Sequence, residues 1–164
     1  MTGAAFKQVY FSLHPKLYRI AFTILKNAED AEDVLQNMYI KIWMAREKLA
    51  TVQNPEAYCI TALKNSCLDI LRSQRVLCND NNIEGYDYPD QITNAETEIV
   101  YKETIKRIKS IIHRLPAKQQ RIIDLRVFCD CSSEEIEQIT GESSENVRVL
   151  LSRARNTLRM KLKR

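Results

Sequence analysis

The sequence predicts an all-α protein of two small helical domains joined by an acidic linker, the second domain containing a helix-turn-helix. Three observations carry this. Glycine and proline are scarce, three and four in 164 residues, while 45% of the residues are apolar, the composition of a helical globular chain. Apolar residues recur at three- and four-residue spacing along most of the chain, and no run alternates strictly for long enough to define a strand. Charge is segregated: residues 1–78 carry a net +3, residues 79–98 carry six acidic and no basic groups, and residues 99–164 carry a net +7. The boundaries follow as a domain over 1–78, a linker over 79–98 and a domain over 99–164.

Taken in order, Ala4 to Leu25 supports one or two helices, with Leu17, Ile20, Ala21, Ile24 and Leu25 on one face. Asn27 is placed to cap the next helix, whose first turns hold Glu29, Asp30, Glu32 and Asp33 where the helix dipole favours anions. That helix continues through Val34, Leu35, Met38, Ile42 and Met44. Asn54-Pro55-Glu56 opens a third helix running to about Arg75, since proline is pre-organised for a first helical position. The stretch CNDNNIEGYDYPDQITNAETE has few aliphatic residues and cannot bury much. A helix from about Ala95 to His113 follows, and Pro116 starts another.

The chain closes with SSEEIEQITGESSENVRVLLSRARNTLRMKLKR. Ser133 is a candidate cap for a short helix holding Ile136 and Ile139, Gly141 suits the left-handed residue that ends it, and Ser143 or Ser144 caps the final helix. A short helix, a glycine turn and a second helix make a helix-turn-helix. In the second helix, Val147, Leu150, Leu151, Ala154, Leu158 and Leu162 fall on one side, and Arg148, Ser152, Arg155 and Arg159 on the other. From residue 146 to 164 there are seven Lys/Arg and no Asp or Glu. A helix that docks by one face and offers cations and hydrogen-bond donors on the other is suited to duplex DNA. A merely solvated basic face and an ordinary helical hairpin account for the same periodicity.

Other classes find less support. The cysteines, Cys59, Cys67, Cys78, Cys129 and Cys131, form no paired C-x-x-C knuckles, and the two histidines lie far from ligand spacing, so reduced and mostly buried thiols are expected and no metal. No phosphate loop and no nucleophile-base pairing points to catalysis, so no catalytic residue or cofactor is expected. The amino terminus lacks a leader pattern, no stretch reaches membrane-spanning length, and the expected location is the cytoplasm.

Two further constellations stand out. NAEDAEDVLQNMYIKIWM puts four carboxylates ahead of an apolar, aromatic helix, which fits either a protein-docking surface or a dipole-stabilised helix with a buried face. In YCITALKNSCLDILRSQR, Asn65, Asp69 and Arg72 share a face beside Lys64 and Arg75, which suits strand phosphates or an unstacked base. A surface ion pair between Asp69 and Arg72 is the simpler alternative.

Together these stretches resemble the extracytoplasmic-function (ECF) sigma factors, the small two-domain sigma subunits of bacterial RNA polymerase. AEDVLQNMYIKIW resembles the core of region two, and YCITALKNSCLDILR its second motif at Asn65, Asp69 and Arg72. RLPAKQQRIIDLRVF resembles the start of region four, and the closing stretch resembles its helix-turn-helix. The chain departs from the family pattern at Tyr58, where tryptophan is usual, at Glu137, where alanine is usual, and at Asn37, where an acid is common.

The resemblance implies a sigma factor that binds core RNA polymerase, recognises promoter DNA and helps to open it, with an anti-sigma factor as a further partner. It assigns Asp33, Gln36 and Met38 to polymerase docking. Asn54, Lys64, Asn65, Arg72 and Arg75 fall to the minus-ten element, with the loop from Thr51 to Pro55, and Asn65 behind it, capturing an unstacked base. Ser144, Arg148, Ser152, Arg153, Arg155 and Arg159 fall to the minus-thirty-five element. Two other readings use part of the pattern. A stand-alone helix-turn-helix regulator leaves residues 28–75 without a role, and a sequestering protein-interaction module leaves the basic face unexplained.

Overall fold

The computed structural model describes residues 2–77 and 99–163, which fall into two compact units, one within Met1–Asn82 and the other within Ile83–Arg164. All regular structure among the described residues is helical. The expected linker over 79–98, and the expected helix start near Ala95, lie outside the described residues.

In the first unit, α1 (Gly3–Tyr10) passes through a tight turn at Phe11–Leu13 into α2 (His14–Leu25). Lys26, left-handed at φ 57°, ends α2, and Asn27 immediately caps α3 (Ala28–Met44) by accepting from the Asp30 amide at 3.0 Å. A four-residue turn of helix, α4 (Arg46–Leu49), leads to α5 (Pro55–Leu77), whose first turn is capped by Asn54 through the Ala57 amide at 3.0 Å. Helices α2, α3 and α5 pack on one another. Their shared core holds Leu17, Ile20 and Ile24 of α2, Val34, Leu35, Met38 and Ile42 of α3, and Cys59, Leu63 and Cys67 of α5. Each large apolar side chain so buried contributes about 1.5–3 kcal/mol relative to exposure. Polar ties lie at the rim: Lys16 pairs with Glu56, and the Gln74 amide donates to Asp30 at 3.1 Å.

In the second unit, α6 (Ile99–His113), α7 (Ala117–Val127) and α8 (Ser133–Thr140) all pack on α9 (Ser144–Leu162). Ser132, not Ser133, caps α8. Its hydroxyl accepts from the Glu135 amide at 3.1 Å, while the Glu135 carboxylate accepts from the Ser132 amide at 2.8 Å. This reciprocal box needs an acid three residues on, which Ser132 has and Ser133 lacks. Gly141, at φ 74°, ends α8 in the left-handed conformation, and Ser143 caps α9 through the Asn146 amide at 3.2 Å. Val147, Leu150, Leu151 and Ala154 of α9 are buried, as are Ile122, Ile123 and Leu125 of α7 and Ile136 of α8, the two helices that pack on it. The apolar stripe of α9 weakens toward its end, where Leu158 is half-buried and Leu162 exposed. There the Arg107 guanidinium of α6 donates to the Lys161 carbonyl at 3.1 Å, supplying a partner for an otherwise orphaned helix-end acceptor.

Cys59, Cys67, Cys129 and Cys131 are buried and unpaired by disulfides. Burial pushes the Cys59 thiol up to about 11, with Glu56 adding to the effect. Among the described residues no cluster of His, Cys, Asp or Glu could hold a metal ion. No helix there is long and apolar enough to cross a membrane.

Candidate nucleic-acid and polymerase interfaces

Three acids lie at the start of α9. Glu137, half-buried on α8, accepts from the Ser144 amide at 2.7 Å, so the side chain that departs from the alanine pattern serves as a second cap for α9. Glu142 pairs with Lys118 of α7 at 2.7 Å and accepts from the Asn146 side chain, and these two contacts hold its carboxyl below the usual range. Glu145 lies in the first turn of α9. The acids thus sit at the positive end of the helix dipole, and the remainder of α9 is left cationic.

With α9 anchored by Val147, Leu150, Leu151 and Ala154, helical periodicity places Glu145, Val149, Ser152 and Asn156 at the outermost line of the helix. All four are exposed, Val149 at 44%. Arg148, Arg155 and Arg159 flank this line on one side. They meet Arg126 of α7 and Ser133 of α8 in an open groove of about 330 Å³, also lined by Leu151, Ser152 and Asn156. Of the residues expected at the minus-thirty-five element, Arg148, Ser152, Arg155 and Arg159 are therefore brought together. Arg153 is exposed on the opposite flank, and Ser144 is half-buried with its amide engaged by Glu137. Arg126, Ser133 and Asn156 were missing from the sequence expectation.

In the first unit the expected minus-ten residues divide into two stripes. Asn54, Asn65 and Arg72 share one line of α5, together with Tyr58 and Thr61, and all five are exposed. Lys64 and Arg75 share a second line about 100° round the helix. Asn65 is not against the Thr51–Pro55 loop, because eleven residues of helix set it roughly 16 Å along the axis from Asn54. The Asn54 carbonyl is used as the α5 cap, and Arg72 does pair with Asp69, at 3.1 Å, in an exposed i,i+3 arrangement that contributes little to stability.

The polymerase-docking expectation needs one correction. Met38 is 3% exposed and packs in the core with Val34 and Leu35, so it holds α3 in place and offers no surface to a partner. Asp33 and Gln36 are exposed, and the same outward line of α3 continues with Ile40, 57% exposed, and Met44, 77% exposed. This line therefore joins an acidic and amide start to two exposed apolar side chains.

The first unit thus carries an acidic helix start followed by exposed apolar side chains on α3, and the second a helix-turn-helix whose last helix is cationic outward, the make-up of a two-part DNA-directed protein. The chain matches the Sigma-70 region 2 family over residues 9–76 and the Sigma-70 region 4 family over residues 105–158. It is 33% identical over 150 residues to RNA polymerase sigma factor SigV of Bacillus subtilis, covering 88% of this chain and 83% of that one. It is 29% identical to a probable RNA polymerase sigma factor of Haemophilus influenzae, covering 80% and 76%. It is 21% identical to ECF RNA polymerase sigma factor SigX of Bacillus subtilis, covering 94% and 81%. Among solved structures, the sigma factor RpoE crystallised with the anti-sigma factor NepR from Bartonella quintana shares the fold, with a TM-score of 0.50, 23% identity and 97% of each chain covered. The chain belongs to the sigma-70 family of RNA polymerase sigma factors and is of the ECF type, with regions 2 and 4. Its function is to direct RNA polymerase in promoter recognition, and it is not an enzyme.

Proposed function

We propose that the two units, region 2 over residues 1–78 and region 4 over residues 99–164, divide the work of initiation between core polymerase with the minus-ten element and the minus-thirty-five element. Asp33 and Gln36, with Ile40 and Met44 beyond them, dock core polymerase. Asn65 and the residues sharing its line of α5 hold the minus-ten strand as the duplex opens, with Lys64 and Arg75 on the neighbouring line placed for phosphates. Residues 79–98, acidic by sequence, link the two units. The outer line of α9 enters the major groove of the minus-thirty-five element, where side chains at the start of a recognition helix reach base edges, and its arginines hold phosphates. The protein acts in the cytoplasm, and an anti-sigma factor competes with polymerase for the same exposed faces.

The observation that carries this reading is the groove on the second unit, where four guanidiniums line one side of an otherwise polar, exposed recognition helix. The α3 face separates it from a stand-alone regulator, which has no use for Ile40 and Met44 at the surface. The test is titration of labelled core polymerase with the full chain. Asp33→Ala combined with Gln36→Ala is expected to weaken binding while far-ultraviolet circular dichroism stays helical. Unchanged affinity removes this face from docking, and no binding by the unmodified chain removes the sigma reading itself.

A further inference from the structure

Among the described residues, the joint between α7 and α8 holds two cysteines, Cys129 and Cys131, one on either side of Asp130. Two others, Cys59 and Cys67, lie eight residues apart on α5, about 12 Å along one helix, which is farther than a disulfide spans. Burial also pushes the Cys59 thiol up to about 11, so little of the reactive thiolate forms there. Cys129 and Cys131 are placed differently. Asp130 is left-handed, at φ 50°. Left-handed helical geometry sets the Cα atoms on either side of such a residue about 5.4 Å apart, inside the range of roughly 4.4–6.8 Å that disulfides use. The Cys131 thiol turns back across Asp130 and donates to the Cys129 carbonyl, with Sγ 3.9 Å from the oxygen.

This joint sets where α8 begins. The Cys131 amide donates to the Leu125 carbonyl of α7 at 3.0 Å, and the Cys131 carbonyl accepts from Arg126 at 2.9 Å. The next residue is Ser132, the cap of α8. Both cysteine side chains are buried, so their sulfurs also fill space inside the unit. Drawing two sulfurs to about 2.05 Å takes the Cys131 sulfur off the carbonyl it now touches. It also restrains the backbone on both sides of Asp130, and the start of α8 moves with it.

We propose that Cys129 and Cys131 are a redox modification site: a hydroperoxide oxidises them to a disulfide within the joint, and the closed ring displaces α8 so that the helix-turn-helix no longer fits its promoter element. The second half of this rests on the reading of α9 as the minus-thirty-five helix. With hydrogen peroxide, one thiolate attacks a peroxide oxygen and becomes a sulfenic acid, releasing one water. The second sulfur then displaces the sulfenic oxygen as another water and forms the S–S bond. The two thiols lose two hydrogens and two electrons, and the peroxide takes them up. Burial makes the reaction wait on local opening of the joint, so DNA bound to α9 slows it. A small thiol reverses the bond by exchange. In a reducing compartment such a bond is transient, as a signal requires.

The test treats the full chain with hydrogen peroxide, removes the excess with catalase, alkylates the remaining thiols and digests with trypsin. Cleavage after Arg126 and Arg148 releases residues 127–148, which contain Cys129 and Cys131 and no other cysteine. This peptide is expected to lose two hydrogens and take up no alkylating reagent, and dithiothreitol should restore both thiols. Treated chain is then joined to untreated core polymerase, on a promoter selected from a randomised library by the untreated holoenzyme and on the same duplex with its upstream element scrambled. Untreated and re-reduced protein should prefer the matched duplex, and oxidised protein should bind the two alike. Recovery with dithiothreitol separates the disulfide from methionine oxidation, which this reagent leaves in place. Cys129→Ala should keep the preference after peroxide, whereas the combined Cys59→Ala, Cys67→Ala and Cys78→Ala variant should still lose it. Should Cys129→Ala fail to fold, the peptide mass and the re-reduction of the unmodified chain decide. Alkylation of both thiols after peroxide, or a bond from either one to another cysteine, overturns the site. A closed ring in a holoenzyme that still prefers the matched duplex overturns the switch. Should the untreated holoenzyme ignore the upstream element, the minus-thirty-five reading fails and the switch falls with it, while the peptide still decides the bond.

Discussion

Replacing Glu137 with alanine tests whether the departure from the family pattern is a working cap. Its carboxylate accepts from the Ser144 amide at 2.7 Å, the length of a charge-assisted bond, at a half-buried position where solvent screens less than at the surface. Loss of a side-chain cap costs about 0.5–2 kcal/mol, and loss of a negative charge beside a helix amino terminus costs about 0.3–1 kcal/mol. Ser143 caps the same helix through Asn146, so α9 keeps one cap and does not unravel. We therefore expect about 1–2 kcal/mol of local destabilisation, a factor of roughly 5–30 in the opening equilibrium. Global unfolding is a poor readout, because alanine is the better helix former within α8 and returns a few tenths of a kcal/mol there. Hydrogen exchange at the Ser144 amide reads the opening directly. Glu137→Ala should accelerate it by that factor, and Glu137→Gln, which keeps an acceptor but loses the charge, should fall between. Exchange at Ser144 equal to that of the unmodified protein in Glu137→Ala would refute the cap.

Two other outcomes follow from the packing of the first unit and from the Glu142–Lys118 pair of the second. Met38→Ala should destabilise the first unit by about 2–5 kcal/mol, as expected for truncating a buried side chain. The Trp43 fluorescence transition in urea measures this, and an unshifted transition would return Met38 to the surface. Glu142 has a lowered carboxyl in the fold, because Lys118 and Asn146 favour its charged form. Its stabilisation is thus present in full above the unfolded value of about 4.3 and is lost as pH falls through the lower folded value. The difference in melting temperature between the unmodified protein and Glu142→Gln should shrink on going from neutral pH to about pH 3. A difference independent of pH would show that the pair with Lys118 carries no stability.

Much of this architecture was legible because it depends on local periodicity and caps. The buried set of α9, the left-handed Gly141 and the Asn27 cap all follow from residue type at fixed spacing. Two misplacements were avoidable. The capping box selects Ser132 over Ser133, since only Ser132 has Glu135 three residues on. The periodicity that puts Val34, Leu35 and Ile42 inside puts Met38 with them. Asn156 was also within reach, one turn beyond Ser152 on the same line, but a search for charge passes over an amide. Arg126 was not. Its place in the groove depends on how α7 crosses α9 and on the Cys131 carbonyl that holds it, and neither has a signature in local sequence. The inward and outward lines of α5 follow from helical spacing, whereas the distance from Asn65 to the Thr51–Pro55 loop had to be counted along the helix.

The acids of the second unit explain why side-chain cations matter so much to it. A helix amino terminus is by itself an anion site, through its unpaired amides and its dipole. In this protein the start of α8 is satisfied by Ser132 and Glu135, and the start of α9 by Ser143 and Glu137, with Glu134, Glu142 and Glu145 close by. Those carboxylates stabilise the helices and at the same time make both termini poor seats for a phosphate. On the reading proposed above, backbone contact then falls to guanidiniums set away from the helix starts. Arg148, Arg155 and Arg159 lie progressively farther along α9, and Arg126 reaches the groove from a different helix. The acidic turn and the arginine groove are in this sense one arrangement. The first satisfies the starts of α8 and α9, and the second, on the reading proposed above, supplies the attraction for DNA that the helix ends no longer offer.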